Sequence, residues 1–408
     1  MANSFANNVK VKLLAAAIAD NMDWTKASVD KMPASEWRNK KYGKSYKIYL
    51  PTTPSVVDGI VANPDDVVEV ETEIKLENKN SSVRLDAWNT LGDLEDFTKQ
   101  IAVPLGNALA RTEEKAIIKD NIFKAAQAFV VPKVSGASGA GFGMLGDASA
   151  ALRSLAVSGD VVSFLNPQVA ATISKSGLAN FIPDSIQKEI YQKNYLGEYA
   201  GASQIISADL PVITTKGSAA TGSLALTEIE DASHNVIGYE SADTITGTNL
   251  VAGQLFTLSG LKIVDASGIT TDQDYKFVVI SVNGAGTEGK IFPVRIAVGD
   301  YKGNNPNAYV DTALTLSSGA IALTSALSTS TTYQICCVRT KDCFTFSTYD
   351  FADLPGSENE AVSVVGGHSV KMSMYGDGTN MVKLVRVDAP YAAGVMDNRG
   401  VVVLFVEK

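Results

Sequence analysis

Histidine and cysteine are scarce, with two His and three Cys among 408 residues. His234 and His368 stand more than 130 positions apart, so acid–base or metal chemistry built on imidazole would rest on one or two residues. No Cys or carboxylate cluster at ligand spacing surrounds either of them. Cys336 and Cys337 are adjacent and Cys343 stands alone. That pattern is neither a disulfide framework nor a C-x-x-C site, and it points to a reducing cytosol. On a strand the two adjacent cysteines face opposite sides, where they read as small buried apolar residues. Uninterrupted apolar runs are also missing: none approaches the ~18–20 residues of a membrane-spanning helix. The nearest is LLAAAIA, Leu13 to Ala19, but Asp20, Asn21 and Asp23 follow at once. It reads as a short amphipathic helix in preference to a signal peptide. Basic charge is in deficit too, 35 Lys and Arg against 44 Asp and Glu, a net −9. The sign is wrong for a general nucleic-acid binder, whose phosphate contacts need clustered Lys and Arg.

What is present is an ordinary globular composition, 45% hydrophobic and 19% charged. A chain of this length suggests two to four domains that need no disulfide or metal staples. The charge is uneven: residues 1–44 carry eight basic and four acidic side chains, net +4, leaving −13 for the rest. A basic arm on an acidic body suggests self-association or a charged partner, although a solvated helix face accounts for the same excess.

Ser4 can cap a helix running to about Met22 with Val9, Leu13 and Ala16 on one face, which reads as an arm and not a core element. From Lys44 the period changes to two. Val68, Val70, Thr72, Ile74 and Leu76 alternate with Glu69, Glu71, Glu73, Lys75 and Glu77, so two strands flank a turn region holding Pro51, Pro54, Gly59 and Pro64. A two-stranded ribbon is marginal alone in water, so its other face needs a partner surface, in this chain or a neighbouring one. Leu91 to Ala128 reads as a helix with Leu94, Phe97, Ile101, Leu105 and Leu109 on one face, kinked or restarted at Pro104. Unbroken, it would span roughly 50 Å. SGASGAGFGMLG reads as a flexible loop before a helix from Asp147 to Val157, and VVSFLNPQ as a buried strand ending in a turn.

Residues 216–335 turn rich in Gly, Ser and Thr, with 6 basic and 11 acidic side chains and no convincing helix. The strand candidates LALTEIE, LFTLSGLKIV, YKFVVISV, IFPVRIAV, AYVDTALTL and YQICCV argue for an inserted small β-barrel or sandwich. The chain then returns to mixed strand and loop and ends in VVVLFV.

The chemistry-bearing motifs are weak. Gly141-x-Gly143-x-x-Gly146 matches the dinucleotide fingerprint formally, but six residues separate it from the preceding FVVPKV, and a loop is the simpler reading. Asp272-Gln-Asp274 lacks the glycine and distal Glu of a calcium loop. Asn80-Ser-Ser82 satisfies a glycosylation triplet that means nothing without secretion. The pairs Asp65-Asp66 and Glu230-Asp231 fall in predicted turns and read as surface or interface charges, since nothing apolar there separates their acidities. No catalytic, cofactor-binding or metal-ligating residue emerges, and the chain reads as a non-enzyme needing no cofactor.

The order of elements says more than any one residue. A basic arm, acidic hairpin, kinked long helix, mixed domain, inserted barrel and returning mixed domain resemble the major coat protein of tailed bacteriophages. The resemblance is to the HK97-like capsid fold in its short-tailed-phage (podovirus) branch, an α+β fold with an inserted all-β barrel. Residues 163–222, from SFLNPQVAATISKSG to PVITTKGSAATG, hold most of the likeness, with weaker support from SVRLDAWNTLGDLEDF and CCVRTKDCFTFSTYDFADLPG. The resemblance implies an N-terminal arm at 1–44, an extended hairpin loop at 45–86 and a peripheral domain with its spine helix at 87–144. It further implies an axial domain at 145–215, a barrel at 216–335 and a second axial and peripheral part at 336–408.

It implies pentamers and hexamers in an icosahedral virion shell around double-stranded DNA that is not read by sequence. Scaffolding and portal proteins are the implied partners, the host bacterial cytoplasm is the place of assembly, and no membrane is involved. Glu230 and Asp231 become candidates for ion pairs with Arg295 or Lys302 of another subunit, with Asp65 and Asp66 as further candidate contacts. The basic charge of the arm departs from what the resemblance implies for scaffolding contacts. Two other classes are in view. One is a surface or fibre-type module binding a glycan or receptor through barrel aromatics such as Tyr239, Phe256, Tyr275, Phe277, Phe292 and Tyr301. The other is a nucleotide-dependent enzyme using Gly141, Gly143 and Gly146.

Overall fold

The computed structural model of the chain describes residues 2–31, 45–50, 70–86, 103–133, 140–157, 159–175, 198–199, 201–230, 234–298, 306–310, 314–349, 359–377 and 382–408. They form a mixed α+β structure rich in strands. The helices are α1 (Ala2–Asn21), α2 (Asp23–Lys26), α3 (Val103–Asn121), α4 (Ala140–Ser154) and α5 (Pro167–Lys175). Strands β1 (Ser45–Leu50) and β2 (Val70–Asp86) precede α3. After it come β3 (Gln127–Val131), β4 (Val161–Leu165), β5 (Glu198–Tyr199), β6 (Ala202–Ile206) and β7 (Val212–Thr214). A run of short strands follows: β8 (Thr221–Glu230), β9 (Val236–Thr248), β10 (Leu255–Val264), β11 (Thr270–Val278), β12 (Ser281–Val282), β13 (Glu288–Lys290), β14 (Arg295–Ala297), β15 (Ala308–Val310) and β16 (Gly319–Ser325). The chain closes with β17 (Thr332–Thr340), β18 (Phe344–Thr348), β19 (Asn359–Val365), β20 (His368–Asp377), β21 (Val382–Val395) and β22 (Val401–Glu407). They group into two compact units.

The first unit comprises described residues within 2–48, 72–117 and 344–394. Its sheet runs β1-β2-β21-β20-β19, with β18 also on β21. The β2 alternation is present: Ile74 is buried and Thr72 and Leu76 half-buried, while Glu71, Glu73 and Lys75 are exposed. Tyr46, Ile74 and Ala392 share a small core with Ile48 and Leu76, so the hairpin finds part of its covering surface in β21, in register from Leu76↔Ala392 to Asp86↔Val382. The hairpin's turn, residues 51–69, lies outside the described residues.

The N-terminal segment is not a free arm. Val11, Leu14, Ala15 and Ile18 are buried at helical spacing, and Trp24 is fully buried behind them. The expected face was wrong, since Leu13 is 37% exposed. A run as uniformly apolar as LLAAAIA has no unique stripe, and close packing chooses it: a Cβ built on Gly106 of α3 would lie 3.0 Å from Ala17 Cβ. Helix α3 itself is 19 residues, Val103–Asn121, about 28 Å at 1.5 Å per residue. Its described part starts at Val103, next to Pro104, and its expected continuation to Ala128 is taken instead by β3. Gln127–Val131 pairs in parallel with β22, and this β-branched and aromatic run gains more from a sheet than from another helical turn. Residues 87–102, where the spine helix was expected to start, lie outside the described residues.

The second unit comprises described residues within 49–71, 118–343 and 395–408. Its mixed sheet runs β3-β22-β17-β4-β6-β5, with β7 also on β17. Helices α4 and α5 cover one face, burying Met144, Leu145, Leu152, Val169 and Ile173 against Cys336, Val338, Val402 and Leu404. The expected flexible loop at 140–146 is helical, because Met144, Leu145 and Ala148 are anchored in this core and outweigh the poor propensity of the glycines. Asn166 ends β4 and starts α5: its Oδ1 accepts from Gln168 N at 3.0 Å, with Pro167 at the first helical position.

Between β7 and β17 the chain builds a closed barrel, β8-β9-β14-β15-β10-β16 and back to β8. Leu224, Ile245, Phe256, Leu261, Ile263, Tyr275, Phe277 and Ile296 fill it. Gly222 makes room for Phe256, whose ring atoms lie 2.9 Å from where a Cβ would be. YQICCV, expected within the barrel stretch, belongs to the mixed sheet, where β17 pairs with β22, β4 and β7.

Candidate functional site

Of the six charged residues nominated from sequence, Asp65, Asp66, Asp231 and Lys302 lie outside the described residues. Glu230 ends β8, and its Oε2 lies 2.9 Å from His234 Nδ1. Arg295 on β14 faces Glu240 on β9, Nε to Oε1 3.5 Å. Glu230 and Arg295 are therefore each engaged within the chain, and not with one another. The His234 side chain is 89% exposed, and exposed pairs of this kind are worth only ~0–1 kcal/mol. Either carboxylate can exchange its partner at small cost.

The second unit contains a polar hub that sequence reading missed. The short 3₁₀ turn Asn398–Gly400 before β22 buries Asn398 completely. Its Nδ2 donates to Tyr275 Oη at 2.5 Å, its Oδ1 accepts from Asn307 Nδ2 at 3.3 Å, and its carbonyl accepts from Ala126 N at 3.0 Å. Arg399 is held by Asp397 and donates through Nη1 to the Asp265 carbonyl at 2.9 Å. Barrel strands and sheet are thus joined by directional bonds in a dry setting, where unmet polar groups are costly. No sequence motif marks Asn398.

A second buried cluster lies in the first unit around α2. The Trp24 amide donates to Glu114 Oε1 at 2.8 Å, and Thr25 Oγ1 lies 3.2 Å from His368 Nε2. Phe344 meets the Trp24 ring edge-on at 6.1 Å between centroids, and the Phe346 ring lies 4.8 Å from that of His368. His368 opens β20 at 4% exposure. Burial, with Lys26 nearby, pushes its pKa down to about 4. Glu113, beside Glu114 on α3, is 2% exposed and has no hydrogen-bond partner for Oε2. Burial pushes its carboxyl up to about 8, a rise that Lys79 opposes and Glu114 reinforces.

The three thiols are buried, Cys336 and Cys337 on opposite faces of β17 as expected. Burial pushes Cys336 up to about 12 and Cys343 up to about 11, which makes them inert as nucleophiles. Arg339 is stacked 5.0 Å above the Phe164 ring. Asp274 of the Asp272-Gln-Asp274 run pairs with Lys262 at 2.7 Å along the β11–β10 edge. Among the described residues no group of three or more His, Cys, Asp or Glu is placed to hold a metal ion, and no helix is long and apolar enough to cross a membrane. Gly141, Gly143 and Gly146 lie inside α4 and not in a strand-to-helix turn. A cleft of about 190 Å³ beside them is lined by Met144, Gln168, Ile173, Gln334 and Val406.

No family model matches the chain, and no curated protein does. Among solved structures, one from Mycobacterium phage Che8 is similar at 11% identity with a TM-score of 0.46, covering 93% of this chain and 89% of that one. The mature capsid of bacteriophage PhiM1 is similar at 9% identity and a TM-score of 0.44, over 89% of this chain and 82% of that one. The capsid of cyanophage P-SCSP1u is similar at 12% identity and a TM-score of 0.43, over 90% of this chain and 84% of that one.

Proposed function

We propose that the chain is a shell subunit, the major coat protein of a tailed-phage head, assembling as pentamers and hexamers into an icosahedral capsid around double-stranded DNA. The observation that carries this reading is the β1–β2 ribbon. Strand β2 is 17 residues long, but its register with β21 begins at Leu76. Before that point Glu71 and Glu73 present an acidic row to solvent, and Tyr49 on β1 is 53% exposed. Two strands alone are marginal in water, and in this reading another copy supplies the surface for the stretch of the ribbon that precedes its pairing with β21.

In this reading the fold is HK97-like, of the short-tailed-phage branch. Residues 45–86 are the extended loop, 87–144 the peripheral domain, 145–215 with 336–408 the axial and returning peripheral parts, and 216–335 the inserted barrel. Glu230, Asp231, Arg295, Lys302, Asp65 and Asp66 are intersubunit contacts whose small individual energies gain weight by repetition. Scaffolding and portal proteins are the partners, and assembly takes place in the host bacterial cytoplasm. A net charge of −9 suits a wall that does not trap the packaged polyanion. The role is structural and not enzymatic.

The rival classes draw less support. A glycan-binding barrel needs aromatic rings on its outside, whereas Tyr239, Phe256, Tyr275 and Phe277 are 7% exposed or less, Phe292 is half-buried, and Tyr301 lies outside the described residues. A nucleotide-binding loop needs the three glycines in a turn, and they are helical. The test is sedimentation velocity with negative-stain imaging of the purified chain, alone and with a scaffolding protein encoded beside it. Closed shells or capsomer rings are expected, and a persistent species near 43.1 kDa in both conditions would overturn the reading.

A further inference from the structure

The α2 segment is fastened at two adjacent residues by two different titratable side chains. Thr25 Oγ1 donates to the Met22 carbonyl at 3.0 Å, which leaves the hydroxyl oxygen to accept from the His368 ring nitrogen. Trp24 is fastened through its amide to Glu114, the immediate neighbour of Glu113, whose Oε2 has no partner in a site that is 2% exposed. From these contacts we propose that Trp24–Thr25 is a pH-sensitive latch holding the N-terminal helix in the first unit, loosened either by protonation of His368 or by ionisation of Glu113. The proposal concerns the single chain and does not depend on shell formation.

The charges facing each group are few. His368 faces Lys26 from α2, itself paired with Asp23 at 2.8 Å, and the Phe346 ring of β18 packs against it. Protonation leaves Nε2 a donor to Thr25 but sets a second positive charge beside Lys26 in a site that is 4% exposed, so an imidazolium favours the undocked state. Glu113 faces Lys79 from β2, which lies 3.6 Å from Glu77, and Glu114 on its own helix. Its ionisation buries a second negative charge within electrostatic reach of the Glu114 carboxylate that holds the Trp24 amide.

The linkage has a definite sign. Undocked, His368 returns to the ordinary histidine range, so docking strengthens about tenfold per unit as pH rises from about 4 to about 6.5. Undocked, Glu113 returns to the ordinary carboxylate range, so docking weakens about tenfold per unit as pH rises from about 4.5 to about 8. The two slopes cancel between about 4.5 and 6.5, leaving a plateau that falls away on both sides.

Hydrogen exchange of the intact chain, read by mass spectrometry on peptides within residues 11–31 from pH 4 to 9, measures this directly. Protection factors corrected for intrinsic rates are expected to peak on that plateau. Glu113→Gln should remove the decline above pH 6.5, and His368→Gln should remove the decline below 4.5. A flat wild-type profile overturns the latch, as does an unchanged profile in both variants. Barrel peptides report separately: if β8 and β9 lose protection along the same curve, the opening is global and the latch is again overturned.

Discussion

Asn398 shows how much can rest on a residue that no motif announces. Its amide is shared between Tyr275 and Asn307 while its carbonyl receives the Ala126 amide. Truncation leaves a buried hydroxyl and a buried amide unpaired at once. Asn398→Ala is expected to lower stability by about 2–4 kcal/mol, at the upper end of what buried unsatisfied groups cost. Urea denaturation checks this, and the loss should shrink in a Tyr275→Phe background, where one of the stranded groups is already gone. Sequence reading had no access to the site, because an asparagine in MDNRG looks like any turn asparagine until distant strands close around it. The same holds for His368 and Glu113. Their chemistry comes from burial, and burial here depends on partners far along the chain, such as Thr25, 343 positions from His368. The nominated Glu230 was visible only as charge in a turn, and its His234 partner four residues on was the one local signal available.

At the scale of elements, periodicity was readable where one face of a strand meets solvent and unreadable where packing decides. The alternation of β2, the strands β8 and β10, and the Asn166–Pro167 boundary all follow from local pattern and turn chemistry. Strand β9 was missed although it is 13 residues long, since Gly238, Glu240 and Asp243 interrupt its apolar rhythm. Those breaks have causes in the barrel: a Cβ on Gly238 would lie 2.5 Å from the Ile296 carbonyl oxygen, and one on Gly247 would lie 1.9 Å from that of Thr221. Helix α1 was read as an arm because sequence shows its apolar run but not the groove beside Gly106. That groove supplies an element-level prediction. Gly106→Leu is expected to push α1 away and cost about 1–3 kcal/mol, the usual range for overpacking. Hydrogen exchange should show lost protection in residues 11–21 and none lost in the barrel.

At the scale of the whole molecule, the acidic row of the ribbon and the fastened N-terminal helix make different demands on charge. Glu71→Lys with Glu73→Lys alters only exposed side chains, so the isolated chain should keep its melting temperature within the small range typical of surface changes. If the ribbon lies on another copy, the same double substitution should slow or abolish assembly, read by light scattering after shell formation is induced. Retained assembly would remove the ribbon from the interface.

The chain enters and leaves the barrel through one rung of the mixed sheet. Thr214 and Thr332 are register partners, and their hydroxyl oxygens are 3.0 Å apart. The chain therefore departs and returns through neighbouring strands, and whatever is spliced between them need only begin and end about one strand spacing apart, ~4.8 Å. Of the 117 residues between the two, Tyr275, Asn307 and the Asp265 carbonyl are the ones that also bond to the turn before β22. An engineer can use the same doorway to mount a foreign domain, provided the new cargo supplies a hydroxyl and an amide donor for Asn398 and a carbonyl for Arg399.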